Sequence, residues 1–202
     1  MSDRTRPSLL IRLRDSCDGR SWQAFFDRYW RLIYGFARKC GLSSADSEDV
    51  LQDVIIEVFK SMPAFEYDRC RGTFRAYLRT ITQREVASGL RSAALRPAER
   101  LEEHVRGNGR SPLADPTGPD ADEAWEKDWK RNLLLQCLDD VRVEIEPKTY
   151  QAFHLYAMLE WPVEEVAEFL KLSVSSVYTA KSRVLARVRE RLAKEVAVEA
   201  AT

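Results

Sequence analysis

The chain is expected to be all-α: two small helical domains joined by a flexible linker, with a helix-turn-helix in the second. Three observations lead there. No segment sustains the alternation of a strand, while apolar residues recur at helical spacing in both halves. Pro and Gly are sparse except between Arg96 and Pro119, where Pro97, Gly107, Gly109, Pro112, Pro116, Gly118 and Pro119 mix with Ser, Asp and Asn. Residues 162–184 carry two short helical patterns joined by a turn of about three residues. The chain, 202 residues long, suffices for one large or two small domains. The expected boundaries are a first domain at 1–96, a linker at 97–124 and a second domain at 125–202.

In the first half, Trp22 to Arg38 places Phe25, Phe26, Tyr29, Ile33 and Phe36 at helical spacing. Gly41-Leu42-Ser43-Ser44 reads as a stop followed by a new cap. From Asp46 to Met62, Val50, Leu51, Val54, Ile55, Val58 and Phe59 form an inward stripe, and Asp49, Gln52, Asp53 and Glu57 face outward. A loop from Pro63 to Thr73 mixes Phe65 and Tyr67 with Arg69 and Arg71. A helix from Phe74 to Arg91 follows, with Phe74, Tyr77, Leu78, Ile81 and Leu90 apolar and Arg75, Arg79 and Arg84 among the arginines around it. In the second half, Trp125 to Val143 predicts one helix with Leu133, Leu134, Cys137, Leu138 and Val141 inward, and Pro147 opens another carrying Tyr150, Phe153, Ala157 and Met158.

The helix-turn-helix is the most informative stretch. Val166, Ala167 and Leu170 share a face of its first helix, and Leu172, Val177 and Ala180 supply the buried face of the second. Ala167 is small where the helices must approach closely. Ser173 is a suitable N-cap, its hydroxyl accepting from backbone amides freed at the helix start. Lys171 occupies a turn position that often needs positive φ and commonly holds glycine. Outward stand Ser175, Ser176, Tyr178, Thr179, Lys181, Ser182 and Arg183, all hydrogen-bond donors, with Arg187 one turn on. From Lys171 to Lys194 the cations are Lys171, Lys181, Arg183, Arg187, Arg189, Arg191 and Lys194, against the single acid Glu190. A basic recognition helix is the electrostatic footprint of a phosphate binder.

Charge is segregated although the net charge is zero. Ser43 to Glu57 carries Asp46, Glu48, Asp49, Asp53 and Glu57 with no Lys or Arg; Arg69 to Arg100 carries Arg69, Arg71, Arg75, Arg79, Arg84, Arg91, Arg96 and Arg100 against Glu85 and Glu99. Separate faces of opposite sign suit separate partners. Cys17, Cys40, Cys70 and Cys137 lie far apart, and His104 and His154 add no ligand spacing, so neither a metal site nor a disulfide framework is expected. There is no Ser/His/Asp set and no phosphate-cradling glycine loop, so no catalytic residues, no cofactor and no enzymatic activity are expected. The N-terminus lacks an apolar signal region and no apolar run approaches membrane-spanning length, which points to a soluble protein of the cytoplasm with no membrane partner.

Two stretches, Ser47-Glu48-Asp49-Val50-Leu51-Gln52-Asp53-Val54-Ile55-Ile56-Glu57-Val58-Phe59 and Gly72-Thr73-Phe74-Arg75-Ala76-Tyr77-Leu78-Arg79-Thr80-Ile81, stand ahead of the helix-turn-helix. With it they resemble the bacterial sigma-70 family, and more closely its two-domain, extracytoplasmic-function type, over roughly residues 20–95 and 130–192. The resemblance implies an RNA polymerase sigma factor that directs promoter recognition and DNA melting at transcription initiation. It implies that residues 1–96 are region 2 and residues 125–202 region 4. Asp49, Gln52, Asp53 and Glu57 would dock on core RNA polymerase. Phe65, Tyr67, Arg69, Arg71, Arg75, Arg79 and Arg84 would meet the melted minus-ten strand, where aromatics stack on bases and arginines attract phosphate. Ser175, Ser176, Tyr178, Thr179, Lys181, Ser182, Arg183 and Arg187 would meet the minus-35 duplex. Core RNA polymerase and promoter DNA, duplex and melted, are the implied partners, and an anti-sigma factor is a further one the family admits. Ile55, Tyr77, Arg84 and Ser88 depart from the family's usual Phe, Trp, Asn and Asp, so base preference does not carry over. Two other readings stay open: a helix-turn-helix transcriptional regulator with an N-terminal sensor or interaction domain, and an interaction module that mimics a sigma domain to titrate a regulator. The first requires a ligand pocket or phospho-acceptor and a homodimer; the second requires no polymerase binding.

Overall fold

A computed structural model describes residues 7–65, 73–95, 113 and 115–201. Among these the chain is all-α, as expected, with no strand. The helices are α1 (Pro7–Arg12), α2 (Gly19–Lys39), α3 (Ser44–Ser61), α4 (Phe74–Ala94), α5 (Pro119–Glu144), α6 (Pro147–Phe153), α7 (Val163–Leu170) and α8 (Val174–Ala201). A 3-10 turn, Met62–Ala64, follows α3, and a π-helical turn, His154–Met158, follows α6. The chain divides into two compact units after Asn132, within α5. No helix among the described residues is long and apolar enough to cross a membrane.

The first unit is built on α2, α3 and α4. Asp18 caps α2, accepting from the Ser21 amide, and Ser43 caps α3, accepting from the Asp46 amide at 3.1 Å. The apolar stripes expected from spacing are the core: Phe25, Ile33, Phe36, Val54, Val58 and Leu78 are fully buried. Gly89 brings α4 close to α3, since a Cβ there would sit 3.1 Å from Val50 Cγ2. Phe26 and Phe59 of the expected stripes are instead part-exposed, and Phe59 rests on Trp22 with ring centroids 4.9 Å apart. Helix α1 was not expected from the sequence, yet its Leu9 and Leu10, with Leu13 just beyond, are buried in this core.

The first compact unit runs on to Asn132, past the end of the linker expected at 97–124. Helix α5 opens at Pro119, and its residues 119–132 belong to the first unit. The reason is the spacing Ala121, Trp125, Trp129, at i, i+4 and i+8, which lays one apolar stripe on the unit's core. Trp125 is fully buried edge-on to Phe36 at 5.3 Å, and Trp129 stacks on Tyr29 at 5.6 Å. Asn132 Nδ2 donates to the Arg28 carbonyl at 3.0 Å, and the Leu113 amide donates to the Lys39 carbonyl at 3.1 Å. Residues 97–112 and 114 lie outside the described residues.

The second unit combines residues 133–144 of α5 with α6, α7 and α8. Cys137, Leu138, Val141, Phe153, Val184 and Val188 form one buried cluster; Ala152, Val163, Val166, Ala167, Leu170, Val177 and Ala180 form another around the helix-turn-helix. Glu146 caps α6, its carboxylate accepting from the amides of Lys148 and Thr149 with Pro147 in the first turn. These amides and the Thr149 hydroxyl hold the Glu146 carboxyl below its ordinary range.

Candidate nucleic-acid and partner interfaces

The turn between α7 and α8 forms as its residue types dictate. The Lys171 amide donates to the Glu168 carbonyl at 3.1 Å and the Leu172 amide to the Ala167 carbonyl at 2.8 Å, the paired bonds of a Schellman stop. Lys171 takes φ 52°, the left-handed conformation that the turn demands and that glycine adopts without strain. Lys171→Gly should therefore stabilise the second unit by roughly 0.5–1 kcal/mol. Hydrogen exchange across α7 and α8 would register it as slower opening, and unchanged protection would show that Lys171 bears no strain. Ser173 then caps α8, accepting from the Ser176 amide at 3.1 Å.

The outward face of α8 is placed as expected, with internal ties that spacing does not reveal. Ser175, Ser176, Tyr178, Thr179, Ser182, Arg183 and Arg187 are exposed, and Lys181 is half-buried. Ser173 Oγ lies 2.8 Å from Ser175 Oγ and 2.7 Å from Ser176 Oγ, so these hydroxyls form a cluster at the helix start. Thr179 Oγ1 donates to the Ser175 carbonyl at 2.8 Å. Lys181 Nζ sits 4.9 Å over the Tyr156 ring, which packs edge-on to Tyr178 at 5.5 Å. The hydrogen bond with Tyr156 raises the Tyr178 hydroxyl above its ordinary value. Arg187 pairs with Glu190 at 3.0 Å. Arg191 departs from the basic face: it pairs with Asp140 at 3.1 Å and with Glu144, and it packs inward against α5.

On α3, Asp49, Gln52 and Asp53 are exposed on one face, while Asp46 is buried beside its Ser43 cap. Ile56 extends that face at i+7 from Asp49 and is 48% exposed. Ile56 adds an apolar surface to an acidic stripe. Glu57 is half-buried and lies 3.4 Å from Arg84 Nη2. Glu57 and Arg84, assigned from sequence to two partners, thus meet each other, and Arg84 also pairs with Glu85 at 2.9 Å.

The residues ascribed to the minus-ten strand divide. Tyr67, Arg69 and Arg71 lie outside the described residues. Phe65 packs against Phe74 at 6.2 Å and Tyr77 at 5.1 Å, half-buried in an aromatic cluster that Phe74 anchors to the core. Tyr77 is hydrogen-bonded to Ser61, and burial raises its hydroxyl above the ordinary value. Arg75 pairs with Glu126 and lies 5.4 Å over the Trp129 ring; Arg79 lies 3.6 Å from Asp122. Both arginines thus face residues 119–132 of α5. The Ala121, Trp125, Trp129 spacing signals a buried face for this stretch, but not which core receives it.

Comparison with known proteins gives one family match: residues 25–96 fit the family described as Sigma-70 region 2. A comparison with curated proteins gives no match. Among solved structures, that of CnrH in complex with the cytosolic domain of CnrY is similar, at 19% sequence identity over 92% of this chain and 96% of that chain, with a TM-score of 0.36.

Proposed function

We propose that the chain is a sigma factor of the extracytoplasmic-function type, a dissociable subunit of RNA polymerase that acts in transcription initiation in the cytoplasm and carries out no catalysis. The observation that carries this is the match of residues 25–96 to Sigma-70 region 2, whose α3 presents Asp49, Gln52, Asp53 and Ile56 to solvent. A helix-turn-helix with an outward row of donors accompanies it in the same chain. In this reading the α3 face docks on core polymerase, the start of α8 enters the major groove at the minus-35 element, and the first unit holds the melted minus-ten strand. Trapping unstacked bases offsets part of the cost of opening the duplex. Ligand-sensing regulation requires no polymerase contact, so the two are separable.

The test is capture of core RNA polymerase by the full-length chain, followed by open-complex formation on supercoiled promoter DNA. Stable capture and strand opening support the assignment; a chain that leaves core polymerase untouched overturns it. For the duplex contact, alanine at both Lys181 and Arg183 should cost the holoenzyme about 1–3 kcal/mol of promoter affinity. Two lost phosphate contacts would also flatten the salt dependence by about two. Equal affinity for both proteins across several salt concentrations would move the docking face elsewhere.

A further inference from the structure

Residues 119–132 of α5 lie along one side of α4. Their apolar stripe, Ala121, Trp125 and Trp129, is sunk in the core of the first unit. Beside that stripe, Asp122 and Glu126 are one turn apart, and on α4 Arg75 and Arg79 are one turn apart. Arg75 pairs with Glu126, Arg79 lies 3.6 Å from Asp122, and Gln83 Nε2 donates to Asp122 Oδ1 at 2.9 Å. Partner numbers fall along α5 as they rise along α4, so the segments run antiparallel with carboxylates ranged over guanidinium groups. The indoles suffice to seat the segment. Part-exposed ion pairs of this kind add little stability, so the carboxylates serve mainly to neutralise α4's cations.

We infer that residues 119–132 are an anionic cap on the basic face of α4. In the free chain, Asp122 and Glu126 occupy the positions on Arg79 and Arg75 that phosphates of a single DNA strand would take. The strand gains these arginines only when it displaces the two carboxylates. This rests on the reading of α4 as the helix that meets melted DNA. It adds that the chain masks this face against stray polyanions until another contact displaces the cap.

The test uses the full chain and a fluorescein-labelled single-stranded oligonucleotide of mixed sequence, followed by anisotropy at several salt concentrations. Asp122→Asn with Glu126→Gln keeps side-chain shape and leaves both indoles seated. This variant should bind about tenfold more tightly than the wild type. Its salt slope should steepen by roughly 1.4, the increment for two added single-strand phosphate contacts. Adding Arg75→Gln and Arg79→Gln should abolish the gain. Equal affinity of wild type and neutralised variant, or a gain that survives Arg75→Gln with Arg79→Gln, overturns the cap. Core-polymerase capture by the same preparations separates the two levels. Capture with unchanged DNA affinity removes the cap alone; failure of capture together with absence of DNA binding removes the functional reading and the cap with it.

Discussion

Trp125→Ala should destabilise the first unit by about 3–5 kcal/mol, the cost of emptying a fully buried indole site in a core. Trp125 has no solvent exposure and meets Phe36 edge-on at 5.3 Å, so its loss leaves a cavity between α5 and α2. Hydrogen exchange resolved by segment is the proper measurement, because two compact units need not unfold together. Amides of α2, α4 and residues 119–132 should exchange faster by roughly two orders of magnitude or more. Exchange in α7 and α8 should not change. Trp125→Phe is the control. Among the described residues the buried indole nitrogen has no hydrogen-bond partner, so the phenyl ring keeps most of the packing and discards that donor. It should cost far less than alanine. If Trp125→Ala left protection of α2 and α4 intact, the segment would be a dispensable appendage and the unit boundary would belong nearer 96.

Reversing charge at Asp49 and Asp53 together, each to Lys, should weaken capture of core RNA polymerase by at least about a hundredfold. Both side chains are exposed on α3 and precede the exposed Ile56 on the same face, while the opposite face of the helix holds the fully buried Val54 and Val58. The substitutions therefore change only the outer face, and Lys is a good helix former, so α3 should stay folded. Circular dichroism should be unchanged while affinity falls, and the loss should shrink as salt rises, because the repulsion it measures is screened. A double variant that captures polymerase as well as the wild type would remove α3 from the interface.

The all-α class, most helices, the Ser43 and Ser173 caps and the helix-turn-helix were legible from local signals alone. Caps, turns and 3.6-residue stripes are properties of neighbours in sequence, and the left-handed Lys171 was foreseeable for the same reason. Helix α1 is six residues long, too short for a stripe to declare itself, and it is held by the burial of Leu9 and Leu10. The outward faces of α3 and α8 were likewise readable, since exposure there is simply the complement of the buried stripe. What only the tertiary structure decided is which charges remain available. Arg191 is taken by Asp140 and Glu144, Arg84 by Glu57 and Glu85, Arg75 by Glu126 and Arg79 by Asp122. Most of these partners lie tens of residues away in sequence. An arginine's surroundings are set by whichever helix packs beside it; for Arg75 and Arg79 that is residues 119–132, seated by Trp125 and Trp129 in a core that their own spacing does not identify.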